Sequence, residues 1–118
     1  MKLSLSVRVG EKYHNKRQTA ISLEELSDMA VDEGYHALCM RASQIAIGTS
    51  PDIVSAHKAS LVAKGLAISM VTGDFPIPEN SFEAPNALRN ITPYLDLATL
   101  LNCDMIRVGL KKNEDIQW

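Results

Sequence analysis

The strongest constraint on the fold is an alternation of strand-like and helix-like segments along the whole chain. Four apolar runs have the character of strands, and helical segments separate them; the runs are Lys2–Val9, His36–Arg41, Leu66–Thr72 and Met105–Leu110. A strand–helix–strand order repeated in this way predicts a parallel sheet joined by right-handed crossovers. We therefore expect an α/β protein with about four strands and three helices.

Local signals mark where these helices begin and end. Ser22 and Glu25 have the spacing of a capping box, in which each residue satisfies a backbone N–H of the other. Gly34 and Gly65 follow the first two helical segments, at the position where a left-handed residue ends a helix. Residues 73–85 contain three prolines and predict a long loop between the third strand and the third helix.

The side chains on the two faces of the strands distinguish between two parallel folds, the doubly wound sheet and the (β/α)8 barrel. One face is apolar: Leu3, Leu5, Val7, Val9, Leu38, Met40, Ile106, Val108 and Leu110. The other face is mostly small or polar: Ser4, Ser6, Arg8, Ala37, Cys39, Arg41, Met105, Arg107 and Gly109. A doubly wound sheet needs two apolar faces, and no glycine-rich dinucleotide motif follows the first run. We therefore predict a TIM (β/α)8 barrel, with the apolar face under helices and the small face inside.

The length fits only part of such a barrel. A complete (β/α)8 barrel needs about 250 residues, whereas this chain has 118. We expect residues 1–118 to be a single segment, the N-terminal half of a larger barrel domain. Because half a barrel leaves a strand edge uncovered, either further chain closes the sheet or half-barrels pair as a homo-oligomer.

Composition and charge exclude several function classes. Twelve Lys and Arg residues against 14 Asp and Glu residues give a net charge of −2, which argues against nucleic-acid and anionic-membrane partners. The first residues alternate between apolar and polar and do not form the apolar core of a signal peptide. Cys39 and Cys103 are predicted to be free thiols, as in a reducing compartment, so the expected location is cytoplasmic.

The helix–glycine–strand stretches resemble a known family. Residues 23–26, 33–41, 64–69 and 97–108 resemble the repeats of the xylose isomerase-like barrels, which include sugar and sugar-phosphate isomerases and epimerases, with endonuclease IV as a nuclease relative. The resemblance implies metal-assisted keto/aldo isomerisation or epimerisation through an enediolate. It implies a small sugar, sugar-phosphate or sugar-acid substrate and a divalent metal, Mn, Mg, Co or Zn.

The same resemblance places the catalytic centre outside this chain. The metal ligands of the family, two Glu, one Asp and one His, lie in the later half of the barrel, and none of them maps onto these residues. Many members carry a Glu in the second strand, where this chain has Cys39. We therefore assign no catalytic or metal-ligating residue here, and we expect the 118-residue chain alone to bind no metal and to be inactive.

Three arginines are the strongest candidates for substrate binding. Arg8, Arg41 and Arg107 all lie near the carboxyl ends of predicted strands, on the inward face, and barrel active sites form at that end. Guanidinium groups bind phosphate or carboxylate through charge-assisted hydrogen bonds. The alternative is that each arginine pairs with a carboxylate on a neighbouring strand.

Two further residues have weaker signals. Asp74 follows the third strand and either holds a substrate hydroxyl or an arginine, or hydrogen-bonds its own loop backbone. His14 lies in the loop after the first strand and either contacts substrate or is solvated.

The sequence leaves three alternatives to an isomerase. The first alternative is a non-catalytic half-barrel that self-associates. The other two are an endonuclease IV-like nuclease and a polyol dehydratase on the same scaffold. The net charge and the lack of a basic stripe disfavour the nuclease.

Overall fold

The computed structural model describes the backbone of residues 1–77 and 84–110, and the side chains of residues 1–72 and 91–109. These residues form the helices α1 (Leu23–Asp32), α2 (Pro51–Ala63) and α3 (Ala84–Leu100). The strands are β1 (Ser4–Ser6), β2 (Glu11–Lys12), β3 (Asn15–Thr19), β4 (Ala37–Met40), β5 (Ala67–Ile77) and β6 (Ile106–Leu110). A 3₁₀ turn, Val7–Gly10, joins β1 to β2.

The main sheet is the predicted parallel sheet. Its strand order is β1-β4-β5-β6, and every neighbouring pair is parallel. Helices α1, α2 and α3 make the three crossovers between successive strands of this sheet. The α/β class, the four strands and the three helices predicted from the sequence are therefore confirmed, and the arrangement is that of a partial TIM barrel.

Strands β1 and β5, which correspond to the first and third apolar runs of the sequence, end at other residues than the sequence predicts. β1 stops at Ser6, whose Oγ accepts a hydrogen bond from the Arg8 backbone N–H at 3.3 Å and so caps the 3₁₀ turn. Leu3 and Val9, expected under helices, are 44% and 60% exposed because they lie outside the strand. β5 continues to Ile77, through residues assigned to a loop, since residues 76 and 77 pair with β6. Residues 78–83 lie outside the described part.

An antiparallel hairpin occupies the segment between β1 and α1, where the sequence analysis placed a loop. Strands β2 and β3 form this hairpin around the two-residue turn Tyr13-His14. Its base packs closely on α1: a Cβ at Gly10 would lie 2.8 Å from Leu26 Cδ1. The Gly10 carbonyl accepts a hydrogen bond from Ala20 N at 2.7 Å. The hairpin is therefore fixed against the body of the fold at the carboxyl end of β1.

The predicted helix ends are confirmed. Glu25 N donates to Ser22 Oγ at 3.2 Å, and Ser22 N donates to Glu25 Oε2 at 3.0 Å, which completes the capping box. Gly34 and Gly65 have φ angles of +79° and +74°, the left-handed conformation that ends a helix at low cost only for glycine. Over the parts of the chain that the structure describes, no helix has the length and apolarity that crossing a bilayer requires.

The hydrophobic core lies between the sheet and the three helices. The strands contribute Leu38, Met40, Ile68 and Val71, all buried. The helices cover them with Leu23, Leu26, Ala30, Val54, Leu61, Tyr94, Leu97 and Ala98. The apolar strand face is therefore the helix-covered face, as its alternation predicts.

Lys64 connects the first two helices. Its Nζ donates to Glu24 Oε1 at 2.7 Å, Asp28 Oδ1 at 2.8 Å and Ser27 Oγ at 2.7 Å. Ser60 Oγ adds a hydrogen bond to Glu24 Oε2 at 3.0 Å. The hydrogen bond from Lys64 lowers the pKa of Glu24 below its usual value of 4.5, and the bond to Asp28 raises the pKa of Lys64 above 10.5.

Replacing Lys64 with methionine is expected to lower the midpoint of thermal unfolding at pH 7 by a few degrees. Because the folded pKa of Glu24 is lowered, its contribution is present above its unfolded pKa and is lost as the pH falls through the folded value, below 4.5. The raised pKa of Lys64 makes its contribution disappear only as the pH rises above 10.5. Melting curves at pH 7 and below pH 4 test this, with Lys58→Met as the control; a pH-independent difference contradicts it.

Candidate functional site

The side of the sheet that faces away from the helices carries small polar side chains. Ser4 Oγ of β1 lies 2.6 Å from Ser69 Oγ of β5, although β4 separates the two strands. Adjacent strands lie roughly 4.8 Å apart, so a flat sheet would hold these strands about 9.5 Å apart. The contact therefore requires a sheet that curves towards this side. The residue of β4 that pairs with Ser4 is Ala37, whose small side chain leaves room for the two serines to meet. This concave face has the character expected of a barrel interior.

A second layer of the concave face lies nearer the carboxyl ends of the strands. Cys39 Sγ of β4 is 3.9 Å from Thr72 Oγ1 of β5. Thr72 pairs in register with Arg107 of β6, so Arg107 lies on the same face. The Arg107 side chain is exposed and the Thr72 side chain is buried. This layer of the concave face therefore combines a thiol, a hydroxyl and an exposed arginine.

An ion pair joins the hairpin to the carboxyl end of β4. Arg41 Nε donates to Glu11 Oε1 at 2.6 Å, and Ser43 Oγ donates to the same oxygen at 3.0 Å. The Glu11 side chain is 3% exposed and that of Arg41 is 18% exposed. Arg41 thus follows the alternative in which an arginine pairs with a nearby carboxylate. The sequence analysis did not single out Glu11, because no local pattern links residues 30 positions apart.

The second carboxylate oxygen of Glu11 has no hydrogen-bonding partner among the described side chains and backbone. Oε2 is buried and forms no hydrogen bond with any described residue. A buried polar atom left unsatisfied costs about 1–3 kcal/mol, and more when it carries charge. Unpartnered buried polar atoms therefore mark places where a donor from elsewhere is to be expected.

Glu11 is also one of the residues that line a cationic cleft. The hairpin and the 3₁₀ turn line a cleft of about 240 Å³, whose wall residues are Arg8, Glu11, Lys12, Tyr13 and Lys16. Lys12 Nζ donates to Gln18 Oε1 at 3.3 Å. Within the described parts of the chain, none of the three cations of this cleft forms an ion pair. We call it the hairpin cleft.

The structure distributes the other predicted site residues as follows. Arg8 belongs to the 3₁₀ turn rather than to a strand, and it lies in the wall of the hairpin cleft. His14 is exposed in the hairpin turn, where its ring meets that of Tyr13 edge-on with centroids 4.8 Å apart. Asp74 lies within β5, and its side chain is outside the described part.

A larger cavity, of about 270 Å³, lies at the opposite end of the strands. It is bounded by the last turns of α2 and α3 and by the start of β5, with Leu61, Leu66, Ile68 and Leu101 in its wall. Barrel active sites form at the carboxyl ends of the strands, so this mainly apolar cavity is at the wrong end for a substrate site.

The described residues contain no set of metal ligands. In residues 1–72 and 91–109 no three His, Cys, Asp or Glu side chains come close enough together to hold a metal ion. A divalent metal needs several such ligands. The described residues therefore do not fit the metal that the family resemblance implies, and we derive no chemical step through it.

Comparison with known proteins gives no match at the level of sequence families. No family model matches the chain, and no curated protein matches it. Solved structures do match, and the chain spans about two-fifths of the length of the three described below.

Three of the solved structures that match are named for an enzymatic activity. The probable 3-DHS dehydratase AsbF of Bacillus anthracis has a TM-score of 0.66 and 19% identity over 92% of this chain and 38% of its own. The 3-keto-D-glucoside 4-epimerase YcjR of E. coli has a TM-score of 0.63 and 14% identity, over 99% and 43%. The family 2 AP endonuclease of Brucella melitensis has a TM-score of 0.62 and 13% identity, over 92% and 40%.

Structural matches at such low sequence identity establish the fold of the chain, but they do not establish the reaction that it takes part in. A fusion protein that contains a xylose isomerase-like TIM barrel also matches, with a TM-score of 0.67 over 92% of this chain. The four-stranded parallel sheet and its three helices therefore have the fold of a partial TIM barrel, similar in structure to the xylose isomerase-like barrel of that fusion protein.

Proposed function

We propose that this chain is a substrate-binding part of a sugar or sugar-acid isomerase or epimerase. The observation that carries the proposal is the position of the Glu11–Arg41 pair and the hairpin cleft, at the carboxyl ends of the parallel strands. TIM-barrel enzymes bind substrate at that end. The structural likeness to an epimerase and a dehydratase supports carbohydrate-type chemistry over other barrel reactions.

The arginines have separate roles in this proposal. Arg107, exposed on the concave face, binds the carboxylate or phosphate of the substrate through charge-assisted hydrogen bonds. Arg41 uses Nε for Glu11, and its Nη hydrogens make no hydrogen bond to the described residues. Arg41 thus holds the hairpin in place and still presents donors for a substrate oxygen. His14 and Asp74 remain proposed substrate contacts.

The reaction requires removal of a proton from the carbon beside a carbonyl group. In isomerisation a proton returns to the adjacent carbon, and in epimerisation it returns to the opposite face of the same carbon. The intermediate is an enediolate, and a positioned base removes the proton. Since no described residue is assigned as this base, the activity belongs to the whole protein. The residues of this chain bind and orient the substrate so that the reacting carbon lies within reach of the base.

Solvent deuterium exchange tests the proposal directly. The whole protein is incubated in D₂O with D-fructose, D-fructose 6-phosphate and 2-keto-D-gluconate, with and without MnCl₂, and proton NMR follows the carbon beside the carbonyl. We expect deuterium incorporation into at least one compound, reduced about tenfold or more in Arg107→Ala. Lys58→Ala, on a helix remote from the site, is the control. No incorporation by a folded protein would reject the proposal.

A nuclease is the second candidate, favoured by the match to an AP endonuclease and by the three cations of the hairpin cleft, which form no ion pair with the described residues. Such cations contact phosphodiester groups, and binding of this kind weakens steeply with salt. Incision of a DNA duplex that contains one abasic site, measured at increasing salt concentration, distinguishes the nuclease from the isomerase or epimerase. The net charge of −2 favours the isomerase.

Dehydration and self-association remain alternatives with their own signatures. A dehydratase would eliminate water from the substrate, which the same NMR spectra report as a new alkene signal. A half-barrel that self-associates would pair through β1 and β6, the edge strands of the main sheet. Sedimentation velocity of the whole protein distinguishes such a dimer from a monomer.

A further inference from the structure

The β2–β3 hairpin is a positively charged part of the surface. Its cations, together with the one in the preceding 3₁₀ turn, are all exposed: Arg8, Lys12, Lys16 and Arg17. None of them forms an ion pair with the described residues. The one acid among residues 8–20, Glu11, is already paired with Arg41. The hairpin also carries an aromatic side chain in its turn, Tyr13, which is 92% exposed.

The outer face of α1 has the opposite charge. Five exposed acids lie on this helix and at its C-cap: Glu24, Glu25, Asp28, Asp32 and Glu33. Three of them recur at every fourth position, from residue 24 to residue 32, and so form a stripe about 12 Å long on one face. Among the described residues, Lys64 is the cation paired with this stripe, through Glu24 and Asp28. The face therefore keeps most of its negative charge.

Apolar side chains accompany the charges on both surfaces. Met29 and Val31 of α1 are 46% and 44% exposed, and the helical spacing places them on either side of the acidic stripe. Protein interfaces typically combine an aromatic anchor with a polar rim. Tyr13 of the hairpin is such an anchor, and methionine sulfur packs favourably against aromatic rings. The hairpin and the outer face of α1 thus match in charge and in apolar character.

A single molecule does not bring these two surfaces together. None of the ion pairs among the described residues joins the hairpin to α1. The base of the hairpin packs instead on the inner side of that helix, with Gly10 against the buried Leu26. Because the hairpin and α1 adjoin in the fold, a two-fold axis beside them lets two copies make the same contact twice. The helices of a TIM barrel form its outer ring, so α1 keeps this face in a complete barrel.

We propose that two copies of this protein pair through these surfaces, the hairpin of each copy lying on the outer face of α1 of the other. The partner is a second copy rather than an unrelated acidic protein, because the same chain carries both complementary surfaces. The proposal goes beyond the proposed function and does not rest on it. It also differs from pairing of the edge strands β1 and β6, in which backbone hydrogen bonds hold the copies together.

Sedimentation velocity of the whole protein at two salt concentrations is the first test. We expect a dimer at about 50 mM NaCl, and we expect its dissociation constant to rise about tenfold or more at about 500 mM, because salt screens exposed charges. A monomer at the lower salt concentration, with protein at about 100 µM, overturns the proposal. A dimer of equal affinity at both salt concentrations also overturns it and indicates pairing of the edge strands.

Variants with exchanged charges identify the two surfaces. Lys16→Glu/Arg17→Glu makes the hairpin repel the acids of α1, and Asp32→Lys/Glu33→Lys makes α1 repel the cations of the hairpin. We expect each variant alone to be monomeric and an equal mixture of the two to form a heterodimer, since both contacts are then attractive. Lysines at the end of a helix suit its dipole, so the α1 variant is expected to stay folded. A dimer of either variant alone, or a monomeric mixture, overturns the proposal.

Two further variants complete the test. Lys2→Glu/Lys58→Glu changes the net charge by the same amount as the hairpin variant but lies outside both surfaces, and we expect it to dimerise like the unaltered protein. Tyr13→Ala is expected to raise the dissociation constant about tenfold or more, because it removes the aromatic anchor. A monomeric control, which would show an effect of net charge alone, or an unchanged dissociation constant in Tyr13→Ala overturns the proposal. Circular dichroism confirms that each variant is folded.

Discussion

Replacing Arg41 with alanine is expected to lower the free energy of unfolding by about 3–5 kcal/mol. The substitution leaves the Glu11 carboxylate buried with one hydrogen bond, from Ser43, and no compensating charge. The hairpin also loses this ion pair to the end of β4, although the hydrogen bonds from Ser43 to Glu11 and from Gln44 to Thr19 remain. Urea denaturation followed by far-UV circular dichroism measures the change as a shift of the unfolding midpoint.

Arg107→Ala is the matched control for this experiment, because Arg107 lies near the same end of the sheet, is exposed and forms no ion pair with the described residues. It should change stability by less than about 0.5 kcal/mol. A double-mutant cycle with Glu11→Gln isolates the pair: removing both partners should cost less than the sum of the single changes. Strict additivity, or a loss below about 1 kcal/mol for Arg41→Ala, contradicts the prediction.

Replacing Leu38 with alanine is expected to cost about 2–5 kcal/mol. Leu38 is 0% exposed and lies on β4, an inner strand of the main sheet, where it pairs in register with Leu5 and Ile68. Neighbours on both sides hold the strand in place, so the cavity left by the smaller side chain closes only partly. The same urea titration measures the loss.

The control for Leu38 is Val62→Ala on α2, where the side chain is 65% exposed. Its truncation should change the free energy of unfolding by no more than about 0.5 kcal/mol. Equal effects at the two positions would mean that the apolar face of β4 is not the buried face. That result would contradict both the core described above and the barrel assignment.

The parts of the fold that the sequence predicts are those set by short-range patterns. The alternation in β4 identifies Leu38 and Met40 as buried, because successive side chains of a strand point to opposite faces. The capping box at Ser22 and the glycine at position 34 fix the ends of α1 through bonds within a few residues. Local patterns of this kind need no knowledge of the rest of the molecule.

The ends of the strands were predicted less well, because a strand ends where its hydrogen-bonding partner ends. The alternation of the first run extends to Val9, but Ser6 caps a 3₁₀ turn and the ladder with β4 stops there. β5 shows the opposite case: β6 supplies partners as far as Ile77, beyond the glycine and proline that suggested a loop.

The sequence by itself determined the order of strands and helices, the buried face of β4 and the presence of arginines near the carboxyl ends of the sheet, but left the face of β5 open, where Ile68 and Val71 are both buried. Only the tertiary structure decided that Arg41 pairs with Glu11, that a hairpin stands where a loop was expected and that the hairpin cleft gathers three cations. Patterning is encoded within a few residues. An ion pair or a cleft forms between elements far apart in sequence, and it depends on how the whole sheet curves and where the hairpin packs.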